Sequence, residues 1–141
     1  MTTLAADKAR KFENVDQEQI NSLPVQAADT IFCGSLVGDN ASGYARPLEA
    51  GDEFWGIGID QAENEAGAAG AVFVKLKTVF WLVVEVTGVT AVTDVNSDVY
   101  ASDDDTFTLA STGNTRIGKV HRWISGTKCV VKCESSPARS I

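Results

Sequence analysis

The chain has 141 residues, 44% of them apolar, and a formal charge of −7 from 12 basic and 19 acidic side chains. That length supports one domain with a real core but not two, and the apolar fraction excludes wholesale disorder. The acidic balance argues against direct binding of nucleic acid or of an anionic membrane surface.

Val and Thr abound, and they suit a pleated surface because their branched side chains are stiff at χ1; 12 Gly supply turns. The expected fold is all-β, a small barrel or sandwich of short antiparallel strands with an extended N-terminal arm. Residues 1–28 are polar and lack a strand or helix period, and they read as that arm, with at most one helical turn over 16–20. Phe12, Ile20, Leu23 and Val25 are spaced along it as apolar anchors. Lys8, Arg10 and Lys11 lie near its free end, placed to meet carboxylates of another protein. Charges at Asp7 and Lys8 interrupt the opening where the apolar core of a secretory signal would begin. The longest apolar run, 79–84, is too short to span a bilayer, so folding in a cytoplasm is expected.

A β-domain is expected over 29–134, followed by a tail over 135–141. Strands are predicted over 30–37 and 44–47, with Gly-rich turns after each, and then over 53–60. Gly56 and Gly58 leave one face of that last strand bare, which predicts a close backbone approach or a bend. A loop follows over 61–70. Residues 71–77 alternate, with Val72, Val74 and Leu76 on one face, as in a half-buried strand. The run 79–86 is apolar on both faces until Glu85 and is expected to be the most buried strand. Two β-prone runs then flank Asp103-Asp104-Asp105, and a hairpin over 116–124 and 127–132 turns at Ser125-Gly126. Charge is segregated: residues 1–13 carry +1 and 114–141 carry +5, against −13 between them. Basic ends could therefore meet acidic bodies of neighbouring subunits.

Residues with chemical potential are few. Asp94-x-Asn96-x-Asp98 matches the first ligands of a calcium loop, with Asp105 at the twelfth position. Val99 stands where the sharp turn needs Gly, and strands flank the segment, so these residues read as turn formers. The three consecutive aspartates read as a solvated loop tip. His121, the one histidine, has no nucleophile or carboxylate motif beside it and reads as an edge or interface residue. Cys33, Cys129 and Cys133 are odd in number and read as free thiols of a reducing compartment. Trp55, Trp81 and Trp123 suit core or subunit-interface packing, or a carbohydrate platform. No catalytic, cofactor-binding or metal-ligating residue is assigned, and no cofactor is expected.

The order of the turn motifs is similar to that of cement, or head decoration, proteins of tailed-bacteriophage capsids. The resemblance rests on Gly34-Ser-Leu-Val-Gly38, Gly43-Tyr-Ala-Arg-Pro-Leu-Glu-Ala-Gly-Asp52 and the Gly56-Ile-Gly58 strand. It continues through Asn64-Glu-Ala-Gly-Ala-Ala-Gly70, Val99-Tyr-Ala-Ser-Asp-Asp-Asp-Thr-Phe-Thr108 and Ile117-Gly-Lys-Val120. It implies a non-enzymatic β-protein on the outer surface of the expanded head, as homotrimers at threefold positions, clamping the major capsid protein against packaged DNA. It also implies residence in the virion, after assembly in the host cytoplasm. The chain departs from the pattern in Phe54-Trp55, in Phe80-Trp81 and in its cysteines. Contacts to capsid or sister subunits would fall to Arg10, Lys11, Phe12, Ile20, Leu23, Val25, Trp55, Trp81 and Trp123. Two other classes fit the sequence: a carbohydrate-binding β-module using the tryptophans, and a small trimeric β-barrel nucleotide hydrolase using the C-terminal tail.

Overall fold

A computed structural model describes residues 3–12, 20–39 and 41–136. The strands in chain order are β1 (Lys11–Phe12), β2 (Ile20–Pro24), β3 (Asp29–Ile31), β4 (Leu36–Asp39), β5 (Ala45–Pro47), β6 (Phe54–Gly58) and β7 (Ala62–Asn64). After these come β8 (Phe73–Lys77), β9 (Val79–Glu85), β10 (Asp98–Asp103), β11 (Thr106–Thr108), β12 (Thr115–Ser125) and β13 (Lys128–Glu134). A 3-10 turn spans Val92–Asp94. The protein is all-β, and its paired strands run antiparallel.

Three layers result. A six-stranded sheet has the order β1-β9-β13-β12-β10-β11, a five-stranded sheet the order β2-β8-β6-β4-β5, and β3 pairs with β7. Strand alternation sends side chains to opposite faces, so the middle sheet feeds two cores. Leu36, Phe54 and Ile57 join Phe80, Leu82, Val99, Ile117 and Val131 between the two large sheets. Val37, Val74 and Leu76 join Val25, Ile31 and Ala62 beneath the β3–β7 layer. The bare face expected of β6 serves this second core: a Cβ on Gly58 would crowd the Phe32 carbonyl and the Ile31 side chain. Thr78 alone separates β8 from β9, so one extended run crosses from the middle sheet to the outer one.

Five sequence expectations are corrected. The loop expected over 61–70 opens on a strand, β7, whose backbone pairs with β3. The run 30–37 is two strands, broken by a turn at Cys33-Gly34. The run 79–86 is not the most buried strand, because only the inner face of its sheet carries a packed layer among the described residues. Phe80 and Leu82 are buried in the core, whereas Val79, Trp81 and Val83 are half-buried on the opposite face. More enclosed are β6, where Phe54, Gly56, Ile57 and Gly58 are all buried, and β4, where Leu36, Val37 and Gly38 are.

The described part of residues 1–28 does not reach away from the body. β1 pairs with β9 and β2 with β8, and Leu23 and Val25 pack into the second core. Burial of those two side chains draws the segment in, and Pro24 is tolerated because β2 is an edge strand. The helical turn expected over 16–20 lies outside the described residues except for Ile20, which begins β2. Residues 137–141 of the expected tail also lie outside them.

The Asp103–Asp105 turn is the fifth correction. Asp103 is 2% exposed and Asp104 1%, so this is no solvated tip.

Candidate interaction surfaces

Residues 3–12 form a strap over the Cys33–Gly34 turn and the β10–β11 hairpin tip. The Leu4 N–H donates to the Asp104 carboxylate at 3.3 and 3.4 Å, and the Lys8 N–H donates to the Cys33 carbonyl at 2.9 Å. Arg10 donates from Nε to the Gly34 carbonyl at 2.8 Å and places Nη2 2.6 Å from Asp105 Oδ1. Its guanidinium also lies 5.8 Å from the centre of the Phe107 ring. Lys8 Nζ reaches both Asp105 oxygens at 2.9 Å. Arg10, expected to find carboxylates on another protein, is held by one of its own.

The hairpin tip is built to receive the strap. Asp103 is buried at the end of β10, where the register with β11 slips between Ala101 and Asp103. Its Oδ1 accepts the Asp105 N–H at 2.9 Å, which tightens the two-residue turn. Ser35 Oγ donates to Asp104 at 2.9 Å. Burial pushes the Asp104 carboxyl above its ordinary range, against the opposing hydrogen bonds from Ser35 and Leu4.

The other reactive groups are also spent internally. The N–H groups of Thr90 and Ala91 hold the Asp94 carboxyl below its usual range. Burial pushes Asp98 up, but Arg116 and Lys119 outweigh it and lower the carboxyl. Neither carboxylate joins a metal-binding cluster among the described residues. Burial pushes the Cys129 thiol up to about 11 and raises Cys133 as well, so neither is a ready nucleophile. Asn64, 3% exposed, donates from Nδ2 to the carbonyls of Val25, Gln26 and Ala68, tying the 65–70 loop to the end of β2.

The three tryptophans are not brought together. Trp55 is half-buried against the second core, and its indole N–H has no acceptor among the described residues. Trp123 packs against the first core and donates from Nε1 to the Gly126 carbonyl at 3.0 Å. Trp81 lies on the outer face of the six-stranded sheet, with the His121 ring edge-on at 6.3 Å and Lys132 Nζ 5.4 Å from its ring centre. His121 is exposed at a bulge of β12, where the register slips between Val120 and Arg122. A platform of all three rings is thereby excluded. No protein-family model and no curated protein sequence matches this chain.

Of the remaining candidates, Lys11 is exposed opposite Val83, and Phe12 pairs with Leu82 through its backbone, its side chain lying outside what is described. Ile20 is exposed at the start of β2, opposite Lys77. No helix among the described residues is long and apolar enough to cross a membrane.

Proposed function

We propose that this protein is a non-enzymatic cement protein of a tailed-phage capsid. It binds the outer surface of the expanded head as trimers at threefold positions, and its partners are the major capsid protein and its own copies. Neither nucleic acid nor membrane is contacted, and the protein passes from host cytoplasm to virion.

The observation that carries this reading is how the motif residues are used. Within the Gly43–Asp52 motif, Arg46 forks onto Asp52 with bonds of 3.0 and 2.7 Å, and Asp52 also accepts the Glu49 N–H. Asp104 and Asp105 anchor the strap. The residues that prompted the resemblance thus brace turns, as a mechanical part requires, and leave no nucleophile–base pair assembled. Many weak symmetric contacts around a shell add up through multivalency, so each copy needs only a modest interface.

The test is to strip DNA-filled heads of the protein, add it back, and measure the temperature at which DNA escapes. Re-decorated heads should hold DNA to a higher temperature, and equal release from stripped and decorated heads overturns the reading. A second reading, a glycan-binding module, is favoured by the half-exposed Trp81 beside His121. A glycan array separates the two.

A further inference from the structure

We propose that the protein docks through the outer face of its six-stranded sheet, centred on Trp81, and that the occupant is a carboxylate-bearing patch of a protein shell. This rests on the capsid reading above.

Register assigns the residues of this face. Paired residues in neighbouring strands share a face, and Cys129, Val131 and Cys133 point into the core, so their alternates point outward. The outward cations are Lys11, Arg116, Lys119, Arg122, Lys128 and Lys132, set against Asp98, Glu85 and Glu134. A net positive sheet face in a chain of charge −7 is a strong local departure. Its centre is apolar: Val79, Trp81 and Val83 lie along β9, with Lys132 over the indole and His121 at its edge. An aromatic anchor ringed by charge is the composition of an interface centre. Beside it a hollow of about 400 Å³ is lined by the cations Arg116, Lys119 and Lys132 with His121, against one carboxylate, Glu134, and with Val95, 40% exposed, at its lip. That is room for a projecting carboxylate side chain.

The opposite layer fixes the orientation. The β3–β7 sheet and the segments on either side of β7 carry Asp29, Asp60, Glu63 and Glu65, and no Lys or Arg occurs in residues 20–45 or 47–74. An acidic shell surface repels that layer and attracts the Trp81 face, so the molecule lands one way up. A second copy could offer its acidic layer to the same face. The two faces lie on opposite sides of the middle sheet, however, and that contact would propagate as an open stack.

The test measures binding of the full chain to purified stripped heads at low and physiological salt, for wild type and three variants whose folding is checked by circular dichroism and melting. Wild type should bind, more weakly as salt rises. Lys119→Glu with Lys132→Glu should weaken binding about 100-fold or more, and Trp81→Ala about 10-fold. Glu63→Lys with Glu65→Lys, on the far layer, should stay within about twofold. If wild type binds and the Lys119/Lys132 variant binds equally well, the docking face is elsewhere. If wild type does not bind heads at all, the capsid reading itself fails. Sedimentation of the free protein supplies the other arm: salt-sensitive stacking abolished by the Lys119/Lys132 substitutions assigns the face to a second copy and overturns the proposal.

Discussion

The Arg10 guanidinium and the Asp105 carboxylate meet at 2.6 Å, joining the amino-terminal strap to a hairpin tip 95 positions away. Arg10 is 5% exposed and Asp105 16%, so the pair is poorly screened. Removing one partner leaves the other charge uncompensated. Arg10→Ala should therefore cost about 2–3 kcal/mol of unfolding free energy, below the full penalty of a buried pair because Lys8 still reaches Asp105. Lys8→Ala, at a side chain 48% exposed, should cost about 1 kcal/mol or less. Urea titration of both variants checks the contrast, and equal small losses would mean the strap contributes nothing to stability.

Asp104 gives the fold a pH response with a definite sign. Burial raises its carboxyl in the native state, while the unfolded chain titrates near the ordinary value of about 4. The native state therefore binds the proton more tightly than the unfolded one. At neutral pH the ionised group weakens the fold, and stability is recovered as pH falls through the raised native value, the gain being complete near about pH 4. Asp104→Asn is uncharged throughout and can still accept from Leu4 and Ser35. Relative to this variant, wild type should gain stability between neutrality and about pH 4. Taking the difference cancels the opposite contributions of Asp94 and Asp98, whose lowered carboxyls lose stability at more acid pH. A pH-independent difference between the two urea midpoints would sink the assignment.

How much of this was legible depended on whether the signal was local. Alternation in 71–77 predicts β8 with Val74 and Leu76 inward, and the Ser125-Gly126 turn predicts the β12–β13 hairpin. The all-β class follows from the same local patterns. What escaped was long-range. A triplet of aspartates has every local mark of a solvated turn, and only a strap 100 positions earlier, with Ser35, makes its burial tolerable. The docking of residues 20–25 is hidden for the same reason: Leu23 and Val25 bury against a layer built by β3 and β7, which no periodicity within 1–28 reports. The apolar run 79–86 could not reveal that its sheet is packed on one face only. Of the candidate site, the tryptophans were visible as residues, but their dispersal over three environments required the fold.

The thiols should divide sharply. Cys129 and Cys133 are buried on the core face of β13 with raised thiols. Cys33 is half-buried in a turn, with burial and Asp7 both raising its thiol, so it reacts slowly but is reachable. Alkylation of the native protein should modify one cysteine, identified as Cys33 by peptide mapping, and all three after denaturation. Native labelling of Cys133 would contradict the core assigned to β13.

Gly56 offers the most direct test of the middle sheet. It sits in β6 with φ 142°, a conformation that side chains rarely adopt, and a Cβ there would overlap the Lys77 carbonyl oxygen and press on Leu76. The same strand pairs Ile57 with Lys77 and Gly58 with Leu76, so no sideways shift is free. Gly56→Ala therefore combines backbone strain with a clash against a neighbouring strand, and should cost about 3 kcal/mol or more. Gly113 provides the control for strain alone. Its φ is 75°, but a Cβ there meets nothing within 4 Å. Gly113→Ala should cost about 1 kcal/mol, the ordinary penalty of a left-handed residue. Thermal melts of the two variants should thus differ by several degrees, with Gly56→Ala the lower. Equal melting points would show that β6 and β8 do not approach as closely as this register requires.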